Sequence, residues 1–315
     1  MRVFHGVSSV DLSLKGAVLS VGNFDGVHLG HQRILRTARA RARVSNTAVI
    51  AMTFEPHPLA LLNPSQAPAQ LTSWDEKVSQ LERAGADAVV RLETDWPLLS
   101  LPAEDFVREI VVKRIHPTVI VEGPNFGFGR GRQGNVETLR RCAEKGGYEL
   151  HVVESCLVRL GEDPQPTIIS STVVRQCLTA GEVSKGAACL GRPYTLIGQV
   201  VRGAGAGKKL GFPTINLEVG SQLVPAEGVY AGVSEISGTR RAAAVSIGCR
   251  PTLGGSVRVI EAFLLDESGD FYDRKARLEL WDHLRPQKRF ESRAVLTEQI
   301  TRDVEEVRRI TAGRI

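Results

Sequence analysis

The sequence has little cysteine, and what it has is not arranged for cross-linking or for metal. Cys142, Cys156, Cys177, Cys189 and Cys249 are dispersed, odd in number and never form a C-x-x-C pair. That pattern excludes a disulfide framework and a zinc knuckle, and it points to a reducing cytoplasm. Long hydrophobic runs are also missing. No apolar stretch approaches the ~18 residues that a membrane span needs. The opening MRVFHGVSSVDLSLKG has no long apolar segment after its first charge, so no secretory signal is expected there. Internal repeats, low-complexity tracts and a concentrated basic tail are absent, as is any aromatic-and-basic RNA motif. The charge is mildly basic, with 40 Lys+Arg against 35 Asp+Glu in 315 residues. Such a balance suits a phosphorylated small substrate, and nucleic acid is not an expected partner.

What is present falls into two rhythms. Up to about residue 180, short apolar runs (17–22, 48–54, 87–92, 118–123, 148–153) alternate with helical patterns. The helices are expected over Leu29–Arg43, over Trp74–Ala84, from Pro102 onward, and from after Asn135 to Gly146. Ser73 and Glu76 are spaced as a capping box, and Gly85 reads as a stop. Strand–helix alternation predicts an α/β domain of Rossmann-like type, a parallel sheet with helices on both faces. From about residue 190 the runs become strand-like with few helices between, as in Tyr194–Val201, Gly228–Ile236 and Ala276–Leu284. This predicts an all-β, six-stranded antiparallel barrel closed by a terminal α-helix, whose stripe is Leu296, Ile300, Val304 and Val307. The expected domains are 1–183 and 187–315, with the boundary near Gly181–Gly191.

The stretch VGNFDGVHLGH (21–31) carries the first chemistry. A buried strand ends, glycines allow a tight turn, and a helix starts near Leu29. His28 and His31 then share one side of a helix N-terminus, where free N–H groups and the dipole already favour anions. Strand, turn, histidines and helix follow in the order a phosphate cradle requires. Two other readings stand beside it: a metal pair, which lacks a clear third ligand, and two structural histidines. Further along, Ser170, Ser171 and Thr172 offer hydroxyls at another helix start with Arg175 one turn on, which is either a second phosphate clamp or an ordinary N-cap. Phe54 and His57 read as aromatic surface for a flat ring or as core and turn residues. Asn125 offers an amide. Gly129-Arg-Gly-Arg-Gln-Gly134 satisfies G-x-G-x-x-G but is separated from the preceding strand, so a basic loop carrying Arg130 and Arg132 is the better reading.

In the second half, Gly203–Asn216 is a glycine loop with Lys208 and Lys209. It is not a P-loop, because Lys209 stands where Ser or Thr is required. Gly207, Lys208 and Gly211 read as part of a nucleotide lid, with a plain hairpin as the alternative. Thr214 and Asn216, two apart on an extended segment, offer hard oxygen ligands to Mg²⁺. Glu261 sits among Val259, Ile260, Ala262 and Phe263, where a carboxylate is either functional or turned to solvent.

His28-Leu-Gly-His31 matches the H-x-G-H signature of the nucleotidylyltransferase superfamily. With TFEPHP (53–58), GPNFGFG (123–129) and ISSTVVR (169–175), it resembles the adenylyltransferase module of bacterial bifunctional riboflavin kinase/FAD synthetases. GFPTIN (211–216), GVYA (228–231), IGCRPT (247–252), VIEAFLLD (259–266) and LRPQKRFE (284–291) continue the likeness through a riboflavin kinase half. Ile215 stands where the signature usually has Ala, and Ile168 where the family often has Lys or Arg.

The resemblance implies that His28 and His31 stabilise ATP phosphates during adenylyl transfer. It assigns Gly22, Asn23, Phe24, Asn125, Ser170–Thr172, Arg175, Gly207, Lys208 and Gly211 to nucleotide, and Phe54, His57, Arg285 and Phe290 to flavin. Thr214 and Asn216 become Mg²⁺ ligands and Glu261 the base on the riboflavin 5′-hydroxyl. Riboflavin, FMN and ATP would be the small-molecule partners, FMN and FAD the products. No membrane partner is expected, and the chain would be a monomer or a weak homo-oligomer.

Overall fold

The computed structural model describes residues 1–162, 164–203, 211–252, 255–267 and 269–315. Its contacts divide the chain into two compact units. The first comprises Met1–Ala69, Trp74–Val158 and Gln165–Ile169; the second comprises Gln70–Ser73, Arg159–Pro164 and Ser170–Ile315.

The first unit is a parallel sheet of β1 (Arg2–His5), β2 (Val18–Val21), β3 (Val49–Glu55), β4 (Ala88–Glu93), β5 (Val119–Glu122) and β6 (Glu149–Val152), ordered β1-β4-β3-β2-β5-β6. Residues alternate between the faces. Val18, Val49, Ala51, Val89, Val119 and Val121 pack beneath α1 (Leu29–Ser45), the short α2 (Pro58–Leu62) lies beyond β3, and α3 (Trp74–Ala84) joins α1 on that face through Leu81 and Ala84. Leu19, Ile50, Met52, Val90 and Ile120 face the other way. There α4 (Trp96–Leu99) and α5 (Ala103–Asp105) lead into a helical stretch, Phe106–Ile115, and α6 (Val136–Gly146) packs beside it. Both faces are covered, so central strands read as unbroken apolar runs.

Two elements differ from expectation. β1, an edge strand pairing with β4, has a mostly exposed pattern and left no apolar signature. The helix after Pro102 winds as a π-helix over Phe106–Ile115, with i→i+5 bonding. Its buried residues Phe106, Val107, Val111 and Ile115 recur at spacings of four and five, which the wider turn brings onto one face.

The second unit contains α7 (Ser171–Thr179), α8 (Val183–Leu190) and a closed barrel. The stretch read as a boundary near Gly181–Gly191 is thus α8 with its left-handed cap at Gly191. The barrel order is β10-β13-β12-β11-β14-β9, from β9 (Tyr194–Val201), β10 (Thr214–Glu218), β11 (Gly228–Ile236), β12 (Thr239–Thr252), β13 (Gly255–Leu264) and β14 (Lys275–Arg285). A two-stranded ribbon, β7 (Leu157–Val158) with β8 (Thr167–Ile168), belongs to the first unit. α9 (Arg293–Thr311) closes the chain, burying Val307 against Ala231, Ala242 and Leu265. Along β13, Ile260, Ala262 and Leu264 are buried, while Glu261 and Phe263 alternate onto the other face.

Glycine holds the barrel together where two strands come too close for a side chain. A Cβ on Gly198 would lie 2.0 Å from the Glu218 carbonyl oxygen across the β9–β10 pair. Gly198→Ala is expected to lower stability by about 1–3 kcal/mol, the range for overpacking. Denaturant unfolding of the variant beside the parent checks this, and an unchanged midpoint would contradict it.

Candidate active sites

Strand order in the first unit reverses between β2 and β5, and open α/β sheets bind ligands in the crevice at such a switch point. The segment leaving β2 fills that position. It is a tight, buried loop in which Phe24 (φ 46°), Gly26 (φ 80°) and Val27 (φ 38°) all have left-handed backbone. For the β-branched Val27 that geometry is strained, and such strain persists only where the surroundings impose it. The sequence expectation placed the turn on Gly22 and Gly26. Gly26 takes it, but Gly22 does not have positive φ, and Phe24 and Val27 do.

The loop delivers His28 as N-cap of α1, its Nδ1 accepting from the His31 N–H at 3.3 Å. The two imidazoles stack with centroids 3.7 Å apart, and the edge of Phe24 closes on His31 at 5.2 Å. A Cβ at Gly30 would come within 3.1 Å of the His28 ring, so the glycine between the histidines keeps that ring in place. His28 therefore has a structural task as well as a place at a helix N-terminus. The His31 Nδ1 is buried and has no hydrogen-bond partner among the described residues. Burial, then the neighbouring His28 and Lys77, hold His31 well below the usual imidazole range, so it is neutral near pH 7.

The Asn23 carbonyl accepts from Thr53 Oγ1 at 3.1 Å, and its amide lies 3.0 Å from His57 Nε2. His57 Nδ1 accepts from the Leu59 N–H and caps α2. Phe24 is buried, and Phe54 stacks on Phe106 at 6.3 Å; both rings are core at least in part. Asn125 is exposed. Ser170, N-cap of α7, accepts from the Val173 N–H, and Ser170–Arg175 belong to the second unit. Gly207 and Lys208 lie outside the described residues. Gly211 is described, with φ 85°, a conformation suited to glycine.

In the barrel, pairing sets Asn216 opposite Glu261 and Glu261 opposite Ser246 on three adjacent strands. Thr214 pairs with Phe263 one pleat further. Asn216 is buried, with its amide pressed on Gly203, where a Cβ would stand 2.1 Å from Nδ2. Glu261 and Ser246 line two cavities at once. One, of about 660 Å³, lies between the barrel and α9 and includes Phe212, Thr214, Phe263, Arg285 and Phe290. The other, of about 370 Å³, includes Glu227, Gly248 and Val259. Arg285 grips Asp303 of α9 through Nε and Nη2, at 3.0, 3.1 and 2.7 Å, with Phe290 5.6 Å from its guanidinium. Gln287 ties the intervening segment down by donating to Ser246 Oγ at 2.9 Å and to the Ile247 carbonyl at 3.1 Å.

A family profile described as FAD synthetase matches residues 11–172, and one described as riboflavin kinase matches 190–311. The chain is 34% identical over 313 residues to the bifunctional riboflavin kinase/FMN adenylyltransferase of Escherichia coli K12, covering 96% of each. It is 33% identical to the Haemophilus influenzae protein of the same name over 97% of each. The chain belongs to the bifunctional riboflavin kinase/FMN adenylyltransferase family. A crystal structure from Streptococcus pneumoniae, named as a macrolide-efflux protein, superposes with a TM-score of 0.86 at 27% identity over 98% of this chain and 99% of that one. No described helix here is long and apolar enough to cross a membrane.

Within this family frame, two groups near the first crevice escaped the sequence reading. Glu122 ends β5 and accepts from the Val21 N–H at 2.6 Å, wholly buried. Burial pushes its carboxyl well above the ordinary range, the Val21 contact opposing only in part. Lys77 pairs with Glu55 at 3.1 Å, both largely buried. Neither forms a short motif with its partner, because the pairs are made between strands or between strand and helix.

Glu122 gives a pH signature. Its folded-state pKa is raised, so above the ordinary value of 4.5 the unfolded chain has lost a proton that the folded chain keeps. Stability from this group therefore falls as pH rises from there towards the folded pKa. Glu122→Gln removes that penalty, so its melting temperature relative to the parent should climb as pH rises above the ordinary carboxyl value of 4.5. Melting curves at several pH values check it; a constant difference would contradict the assignment.

Proposed function

We propose that each unit carries one of the two reactions, with the residues that line it in named roles. The chain is a riboflavin kinase and an FMN adenylyltransferase by family, so ATP is the co-substrate and FMN and FAD the products. The division of labour between residues 1–183 and 187–315 is part of the proposal.

For the kinase, the carrying observation is Glu261 on the wall common to two cavities. Phe212 and Phe263, edge to face at 5.3 Å, give the larger one aromatic surface for an isoalloxazine, closed by Arg285 and Phe290. The smaller would take nucleotide. Glu261 removes the proton of the ribityl 5′-hydroxyl. The oxygen bonds the γ-phosphorus as its bond to the bridging oxygen breaks, and ADP leaves. Thr214 and Asn216 fit Mg²⁺, since a hydroxyl and an amide oxygen on one face of β10 are hard ligands that leave room for phosphate and water. The Gly203 contact fixes that amide. When bound, the ion would neutralise phosphate charge.

For adenylyl transfer, the FMN phosphate is already anionic, so no base is required. An FMN oxygen attacks the α-phosphorus, the bond to the β-phosphate oxygen breaks, and pyrophosphate leaves. His28 and His31 stand where the departing charge develops, and positioning with electrostatics suffices. Gly22, Asn23, Phe24 and Asn125 would line the nucleotide, with Phe24 acting through its backbone because its ring is buried. Ser170, Ser171, Thr172 and Arg175, with Gly207, Lys208 and Gly211 on the kinase side, are assigned to nucleotide on resemblance. Phe54 and His57 are assigned to flavin likewise. Five free thiols accord with a reducing cytoplasm.

Separated variants test the assignment. Glu261→Gln should lose riboflavin phosphorylation by a factor of at least about 100 and still make FAD from supplied FMN. The double variant His28→Ala/His31→Ala should make FMN and stall there. Chromatography of FMN and FAD over time reads both. Full kinase turnover in the first, or parental FAD formation in the second, would sink the corresponding role.

A further inference from the structure

Lys77 has no role in the chemistry above, yet it occupies a costly position. Its side chain is 7% exposed on α3, paired at 3.1 Å with Glu55, itself 13% exposed. Burying both charges costs several kcal/mol per ion before their attraction returns anything, and an apolar pair is often as stable. Stability alone does not account for the pair. Its location does. Glu55 is the last residue of β3, next to the strand that feeds the histidine loop. Thr53, two residues earlier, holds that loop through the Asn23 carbonyl. α3 packs on the same face of the sheet as α1, whose N-terminus carries the imidazoles. The ammonium also lies 5.9 Å from the Trp74 ring, and its charge is felt at His31.

Resting on the adenylyl-transfer reading, we propose that Lys77 supplies a buried cation to that site: its ammonium binds the β- and γ-phosphates of ATP and the pyrophosphate they become, and Glu55 holds it in wait. The imidazoles are suited to orient phosphate, but His31 is neutral and supplies no standing charge. A triphosphate needs such charge where water is excluded. Lysine has three N–H donors. One satisfies Glu55, and in the proposal the other two serve phosphate oxygens without breaking the pair. Glu55 keeps the empty crevice near electroneutral, so the lysine remains folded in place when no nucleotide is bound. The residue makes and breaks no covalent bond.

The test uses the full chain with FMN and Mg-ATP, reading FAD, and with riboflavin as an internal control for the kinase. Lys77→Met should reduce kcat/KM for ATP in adenylyl transfer about 10- to 100-fold, the loss of one charge-assisted contact. It should weaken inhibition by pyrophosphate in parallel, and leave riboflavin phosphorylation within about twofold of the parent, a change of under half a kcal/mol. Lys77→Arg should recover part of the loss. The double variant Glu55→Gln/Lys77→Met separates phosphate binding from a structural ion pair, because it leaves no unpaired buried charge. With a parental melting temperature and adenylyl transfer still impaired, it supports the proposal. Recovery of parental FAD formation in the double variant would overturn it. If the parent made no FAD at all, the family reading of the site would fail instead. Calorimetry with pyrophosphate would then still decide Lys77: equal affinity in parent and Lys77→Met would refute it.

Discussion

The reversal of strand order between β2 and β5 is the constraint on which the first unit depends. It splays the connections to opposite faces and leaves a crevice that the 22–28 loop must enter. Entering it forces left-handed backbone at Phe24 and Val27, and the surrounding core holds that strain. Phe24 and Val27 are themselves buried, so the loop is fixed by apolar packing from below. The Thr53–Asn23 bond and the His28 cap fix it from above. Rigidity of this kind is what an electrostatic site requires, because donors that need not reorganise give more to a developing charge than mobile ones.

The barrel solves a different problem with a different device. Its polar row is set by register: pairing alone aligns Asn216, Glu261 and Ser246 across β10, β13 and β12. A one-residue slip would turn all three inward. The interior side of the same strands, Ile260, Ala262 and Leu264 among them, makes that slip costly, since it would bring Glu261 into the core. The hydrophobic filling of the barrel thereby specifies where the polar row points.

Much of this was legible in the chain, and the reasons for the gaps are physical. The parallel sheet, the barrel and the closing helix follow from apolar period. His28, His31, Thr214, Asn216 and Glu261 stand in short recognisable runs, so they can be singled out in the sequence, whereas the row that Glu261 makes with Asn216 and Ser246 forms only by strand pairing. Gly30 and Gly203 each sit where a Cβ would strike a site side chain, His28 and Asn216. Both are visible as glycines in sequence, but not their reason. β1 was missed because an exposed edge strand has no apolar pattern, and the π-helix because spacings of four and five read as an imperfect α stripe. Glu122 and Lys77 find their partners 101 and 22 residues away. No motif of a few residues encodes such pairs.

Both units border their candidate site with a cation buried against a carboxylate: Lys77 with Glu55, and Arg285 with Asp303. The carboxylate has the same physical effect in each. A lone buried cation would pay its full desolvation cost in the empty protein and would either swing out to water or lose its proton. Pairing removes that alternative and fixes the direction of the remaining N–H groups. The two cations differ in a way that fits their ligands. Arginine, planar and held at two nitrogens, presents a flat face beside Phe290 in a cavity of aromatic character. Lysine, a compact charge with donors to spare, is paired with the end of the strand next to the one that feeds the histidine loop, where the proposed ligand is a polyanion without a plane. On the proposed roles, the residue type at each position matches the shape of its ligand, a plane beside Arg285 and a polyanion beside Lys77.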